Sequence, residues 1–133
     1  MPVFSDDVQL YNTLKLLFNR LVEQNPQATE SVNKSRLIVR MSLRDPEAEL
    51  LINGKSIPVE ISYGPSNSRP DILVEMTADA LHYIMLGELK LRKALGSGQM
   101  KVKGPVWKSF VLEDIFHQGQ KLYLDVLKEQ SLS

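Results

Sequence analysis

The sequence contains no cysteine, which removes disulfides, thiol nucleophiles and cysteine-ligated metals together and suits a reducing compartment. Histidine is nearly as scarce. His82 and His117 stand far apart, so a metal site would have to gather both with carboxylates, and their spacing suggests none. Charge of one sign is also missing: sixteen basic residues meet sixteen acidic ones, and the chain lacks the overall basic surplus of a nucleic-acid binder. Long apolar runs are absent at the start, where Met1 to Asp7 offers neither a basic opening nor a hydrophobic stretch. Neither a secretory signal nor a membrane span is expected, and the protein reads as cytoplasmic. Ser131-Leu132-Ser133 does not match the peroxisomal Ser-Lys-Leu ending. Asn33-Lys34-Ser35 fits a glycosylation sequon and, without a secretory signal, reads as a chance match in a polar linker.

The usual catalytic signatures are lacking as well. Gly96-Ser97-Gly98 does not have the Gly-x-Ser-x-Gly spacing of a serine hydrolase elbow. Gly64-Pro65-Ser66 has neither the later glycine nor the lysine of a phosphate-binding loop. Either histidine has the chemistry of a general base, but a helical surface or core histidine is the simpler reading of both. The expectation is a non-enzyme with no cofactor and no metal.

What the chain does have is 133 residues, 43% of them hydrophobic, enough for one core in one domain over residues 1–133. Ser5 is the expected N-cap of a helix over 5–25, with Val8, Tyr11, Leu14, Leu17, Phe18, Leu21 and Val22 at helical spacing. Residues 27–35 read as a loop. From Leu37 the period becomes two through Val39, Met41 and Leu43, a half-buried strand. Glu49 to Ile52 and Lys55 to Tyr63 flank Asn53-Gly54, an Asn-Gly hairpin signal, with Ile57, Val59, Ile61 and Tyr63 on one side. Pro58 implies an edge or a bulge there. Asp71 to Met76 is a fourth strand, and Thr77 caps a short helix that ends at Gly87. Leu89, Leu91 and Leu95 mark a second short helix before a fifth strand around Met100 and Val102. Helices follow over 106–130 with a break at Gly119. Strands grouped and joined mostly by tight turns, within residues 36–104, predict an α+β fold: a five-stranded, mainly antiparallel sheet covered on one face by helices.

One charge feature stands out locally. Between Leu86 and Lys108, Lys90, Arg92, Lys93, Lys101, Lys103 and Lys108 face the single acid Glu88. Such a cluster is either a solvated face or a contact for an anionic membrane. Nucleic acid is not expected, because the aromatic residues mostly follow buried periodicities.

Residues 70–104 carry the most specific pattern: Pro-Asp-Ile-Leu-Val-Glu-Met, then a short helix ending in Gly87, then Leu-Gly-Ser-Gly-Gln-Met-Lys-Val-Lys-Gly up to Gly104. This stretch resembles the sterol carrier protein 2 family, with Leu95 standing where a Phe is usual, and the order of elements agrees along nearly the whole chain. The resemblance implies an apolar tunnel enclosed by the sheet and helices. It also implies non-catalytic binding and transfer of a fatty acid, acyl-CoA, sterol or similar lipid. By the same resemblance Leu81, Ile84, Met85, Met100, Val102, Trp107, Phe110 and Phe116 line the tunnel. An accessory role, presenting a hydrophobic biosynthetic intermediate to partner enzymes, is the alternative it offers.

Overall fold

The structure, a computed structural model, describes residues 3–24, 30–57, 59–105 and 110–130, with the side chains of Ser31, Phe110 and Val111 left aside. Five strands, β1 (Ile38–Arg44), β2 (Ala48–Asn53), β3 (Glu60–Tyr63), β4 (Ile72–Thr77) and β5 (Met100–Lys103), make one sheet in the order β3-β2-β1-β4-β5. All neighbours are antiparallel except β1 and β4. The two-residue period does the work predicted for it: Val39, Met41 and Leu43 are buried while Ile38, Arg40 and Ser42 turn to the opposite face. Register then aligns apolar rows across the sheet. Val39 lies between Ile52 and Ile72, Met41 between Leu50 and Val74, and Leu43 between Ala48 and Met76. The last two rows continue into β5 through Val102 and Met100.

Five helices accompany the sheet: α1 (Asp7–Gln24), α2 (Glu30–Ser35), α3 (Ala78–Met85), α4 (Leu91–Ser97) and α5 (Phe110–Glu129). Leu10, Leu14, Leu17, Phe18 and Leu21 of α1 share a buried cluster with the inner face of the sheet and with Leu112, Ile115, Phe116, Tyr123, Val126 and Leu127 of α5. Arg20 of α1 and Glu129 of α5 pair at 2.5 Å across their ends. Asp6, not Ser5, starts α1, because its Oδ1 accepts from the Gln9 amide at 2.9 Å while Gln9 Oε1 accepts from the Ser5 amide at 2.7 Å. This is a displaced capping box. Val8 consequently lies on the exposed side of the helix, and Leu10 takes its expected place in the core.

Five further expectations are corrected. The Asn53-Gly54 step is not a two-residue hairpin, because Asn53 pairs with Glu60 and the connection is therefore longer. Gly54 is required for another reason, since a Cβ on it would stand 2.5 Å from the Leu37 carbonyl oxygen and 2.6 Å from that of Val32. Ile57, expected on the buried side of β3, is 84% exposed because the strand begins only at Glu60; Pro58 lies outside the described residues. Within the loop expected over 27–35, residues 30–35 form α2, whose one buried apolar residue, Val32, is too little to show a period. On α4 the inward residue is Ala94, and Leu95 is exposed. Finally, α5 runs unbroken through Gly119. A single helical glycine costs only about 1 kcal/mol relative to alanine, and the packing around this one, described below, explains its presence.

Because β3 and β4 are separated by β2 and β1, residues 64–71 must cross the sheet. Arg40 shows on which side. It projects from β1 on the face opposite the helices, and its guanidinium donates to the carbonyl oxygens of Ser66 and Ser68. The crossing segment therefore lies on the outer face.

Candidate functional site

The described residues predicted to line a cavity come from α3, β5 and α5 and belong to one apolar cluster. Thr77 ends β4 and begins α3 in one step, its Oγ1 accepting from the Ala80 amide at 3.0 Å. That cap aims Leu81, Ile84 and Met85 inward, and all three are buried. Met100 of β5 is buried beside Met76, and Val102 is half-buried beside Val74. From α5, Phe116 is buried in the same apolar cluster. Gly119 lets α5 approach α3: the sulfur of Met85 would lie 3.1 Å from a Cβ placed there. Gln120 Nε2 ties the two helices by donating to the Ile84 carbonyl at 2.9 Å.

A cleft of about 420 Å³ opens between α3, α4 and α5, with Ile84, Leu91 and Phe116 as its apolar wall and Arg92, His117 and Gln120 among its polar residues. Glu113 and Asp114 of α5 stand on it too. Leu81, Met85, Met100 and Val102 belong to the surrounding core and do not line this cleft. Trp107 and Lys108 lie outside the described residues, as does the side chain of Phe110.

A second, larger cleft of about 760 Å³ was not read from the sequence. It lies between α1 and the ends of β1, β2 and β3, and includes Val8, Tyr11, Lys15, Leu43, Ala48 and Tyr63. The Tyr11 hydroxyl accepts from the Glu49 amide at 2.9 Å, and the Tyr63 hydroxyl donates to Asn19 Oδ1 at 3.1 Å. The Lys15 ammonium sits 5.8 Å from the centre of the Tyr63 ring, a cation–π distance. Burial pushes the Tyr63 hydroxyl pKa upward, so it remains a proton donor. The available signal was the pair of tyrosines themselves, which present an apolar body and a polar tip where helix and sheet separate.

Of the two histidines, His82 is engaged internally. Its Nδ1 lies 2.7 Å from the Tyr123 hydroxyl, and Phe4, Tyr83 and Tyr123 surround it edge-on. Desolvation lowers its pKa, opposed by the charges of Asp79 and Glu88. Asp79 also accepts from the Val3 amide at 3.0 Å, fastening the segment that carries Phe4. His117 is exposed on the α5 lip of the smaller cleft. Among the described residues no group of three His, Asp or Glu is gathered for a metal, and no helix is long and apolar enough to cross a membrane.

The profile of the SCP-2 sterol transfer family matches residues 18–117, from the end of α1 into α5. The chain belongs to this family. Solved structures agree in fold. The sterol carrier protein domain 2 of Helicoverpa armigera superposes with a TM-score of 0.68 at 21% identity, over 85% of this chain and 89% of that one. Palmitated SCP2L2 from Aedes aegypti gives 0.60 at 16% identity, over 80% and 92%. A structure described as UbiJ-SCP2, a ubiquinone synthesis protein, gives 0.58 at 18% identity, over 84% and 89%. Among curated proteins compared by sequence, none matches significantly. The SCP-2 architecture accounts for the α+β sheet and its order of elements.

Proposed function

We propose that this SCP-2 domain binds a long-chain apolar lipid in its helix–sheet core, carries it, and performs no chemistry on it. Ile84 and Phe116, from α3 and α5, come together in a cleft with an apolar wall and a polar rim. That observation carries the reading, because such an arrangement suits a molecule with a long hydrocarbon chain and one polar end. We assign the remaining lining to Leu81, Met85, Met100 and Val102, which become accessible if the corner between α3, β5 and α5 widens around a guest. Met85 and Met100 suit that role, since an unbranched thioether repacks easily. Removing on the order of twelve methylenes from water gives roughly 10 kcal/mol before ordering costs. The palmitated state of the Aedes aegypti relative supports an acyl chain as the ligand class.

Native mass spectrometry of the purified protein, repeated after solvent extraction, tests this. A stoichiometric acyl chain, sterol or quinone is expected. Protein that is clean, and whose melting temperature does not rise with oleate, would overturn the proposal, since a ligand at a hundred times its Kd adds about 2.7 kcal/mol of stability. The likeness to UbiJ-SCP2 supports a second reading, presentation of a hydrophobic biosynthetic intermediate to enzymes. Affinity capture that recovers no enzyme, with and without lipid, would remove it.

A further inference from the structure

Residues 3–6 lie ahead of α1 and belong to no helix or strand. Ser5 and Asp6 are exposed, yet Phe4 is among the largest fully buried side chains of the protein. Its ring stands edge-on to that of His82 in α3, with centroids 6.0 Å apart, and His82 stands edge-on to Tyr123 of α5 at 5.5 Å. Val3 packs against the same apolar cluster, and its amide donates to Asp79 Oδ1 of α3 at 3.0 Å. The other hydrogen bonds described for the segment run forward into the first turn of α1, to Gln9 and Leu10. One ring and one hydrogen bond therefore fasten it to α3.

The contact beneath Phe4 differs from the rest of the core. Helix α3 is eight residues long and packs on β4 and α5. Two polar links join it to α5: Gln120 Nε2 donates to the Ile84 carbonyl at 2.9 Å, and His82 Nδ1 lies 2.7 Å from the Tyr123 hydroxyl. Apart from tyrosine, the buried polar side chains among the described residues are Thr13 and His82. Thr13 bonds within its own helix, to the Gln9 carbonyl, whereas His82 reaches across to another. A hydrogen bond of that kind is firm while dry and loses most of its net value once water competes for both partners. Phe4 covers His82 from the side of the N-terminal segment and so guards the link.

Leu81, Ile84 and Met85 are buried under α3, and a guest reaches them when α3 parts from α5. We propose that residues 3–6 are a latch on α3: Phe4 on His82 and Val3 on Asp79 keep the α3–α5 contact shut, and their release lets α3 lift so that an apolar ligand enters. The inference rests on the carrier reading given above. A segment outside regular structure, held by so few contacts, opens at the low end of a protein's range of local stabilities. The sheet and the long helices α1 and α5 stay in place while it does. The latch governs the rates of entry and exit and leaves the affinity of the closed complex to the core.

The test combines amide hydrogen exchange with stopped-flow uptake and release of cis-parinaric acid, a fluorescent fatty acid. Phe4→Ala should speed exchange over residues 78–86 and raise both parinaric rates on the order of tenfold, the lower bound of what burying a phenylalanine ring contributes to an equilibrium constant. Exchange in β1 and β2 should not change. Asp79→Ala should act in the same direction, and Asp79→Asn, which keeps an oxygen for the Val3 amide, should restore the wild-type rates. Val32→Ala, a core truncation in α2, should lower the melting temperature and move neither parinaric rate. Wild-type protein that takes up no parinaric acid would overturn the carrier reading itself. Normal uptake with unchanged rates in Phe4→Ala and Asp79→Ala would overturn the latch alone, as would faster exchange spread evenly through the sheet.

Discussion

The Nδ1 of His82 and the hydroxyl of Tyr123 meet at 2.7 Å in the buried contact between α3 and α5. Desolvation lowers the pKa of this histidine in the folded state. The unfolded chain therefore binds its proton more readily, and the sign follows: stability is fully present above the unfolded value of about 6.5 and is lost as pH falls toward the folded value. Melting temperatures should fall between pH 7.5 and pH 5, and His82→Phe should flatten that slope. Tyr123→Phe, which leaves Nδ1 without its partner, should cost about 1–3 kcal/mol.

Gly119 is best tested by two substitutions of opposite sign. Alanine adds helix propensity worth about 1 kcal/mol and meets only the flexible end of Met85, at 3.1 Å from the sulfur. Gly119→Ala should thus hold or raise the melting temperature. Gly119→Leu should force α3 and α5 apart and lower stability by about 1–3 kcal/mol, as read by chemical denaturation.

Gly54 has no such tolerance. Its hypothetical Cβ meets two backbone carbonyl oxygens, of Leu37 and Val32, that cannot rotate away. Gly54 also donates to Leu37 at 2.8 Å, and Asn33 Nδ2 donates to the Gly54 carbonyl at 3.0 Å. Gly54→Ala should destabilise by about 1–3 kcal/mol and speed amide exchange in α2 and the end of β2.

Arg40 anchors the crossing segment through two carbonyls, while its Nε is buried without a partner among the described residues. Arg40→Gln removes charge-assisted bonds worth about 1.5–3 kcal/mol each. Arg40→Lys keeps the charge but loses the planar fork. Both should accelerate hydrogen exchange over residues 64–70, with lysine the milder, and leave exchange in α5 unchanged.

Much of this was legible beforehand. The two-residue period of β1 gave the buried face correctly, because the strand lies inside the sheet with one face packed and one open. Thr77 announced α3 by its capping chemistry. Two of the failures depend on contacts distant in sequence. Gly54 reads locally as a turn glycine, yet it is held by Leu37 and Val32. Gly119 reads as a helix breaker, yet Met85 packs over it. Leu95 fits a helical stripe, but α4 is so short that one inward residue, Ala94, suffices to attach it. For the candidate site, the corner at Ile84 and Phe116 came from a family resemblance, while the cleft at Tyr11 and Tyr63 needed α1 placed against the sheet first.

The parallel seam between β1 and β4 also sets an order in time. β1, β2 and β3 follow one another in the chain and can zip as a meander from nearby partners. Val39 and Ile72, by contrast, can pair only after everything between them has been looped out and the crossing segment laid over the sheet. Loop closure of that kind is entropically costly and slow. On that ground β4, α3, α4 and β5 are expected to join the sheet after the meander, so a nascent chain would expose the apolar face of β1, β2 and β3 before the contact of α3 with α5 exists.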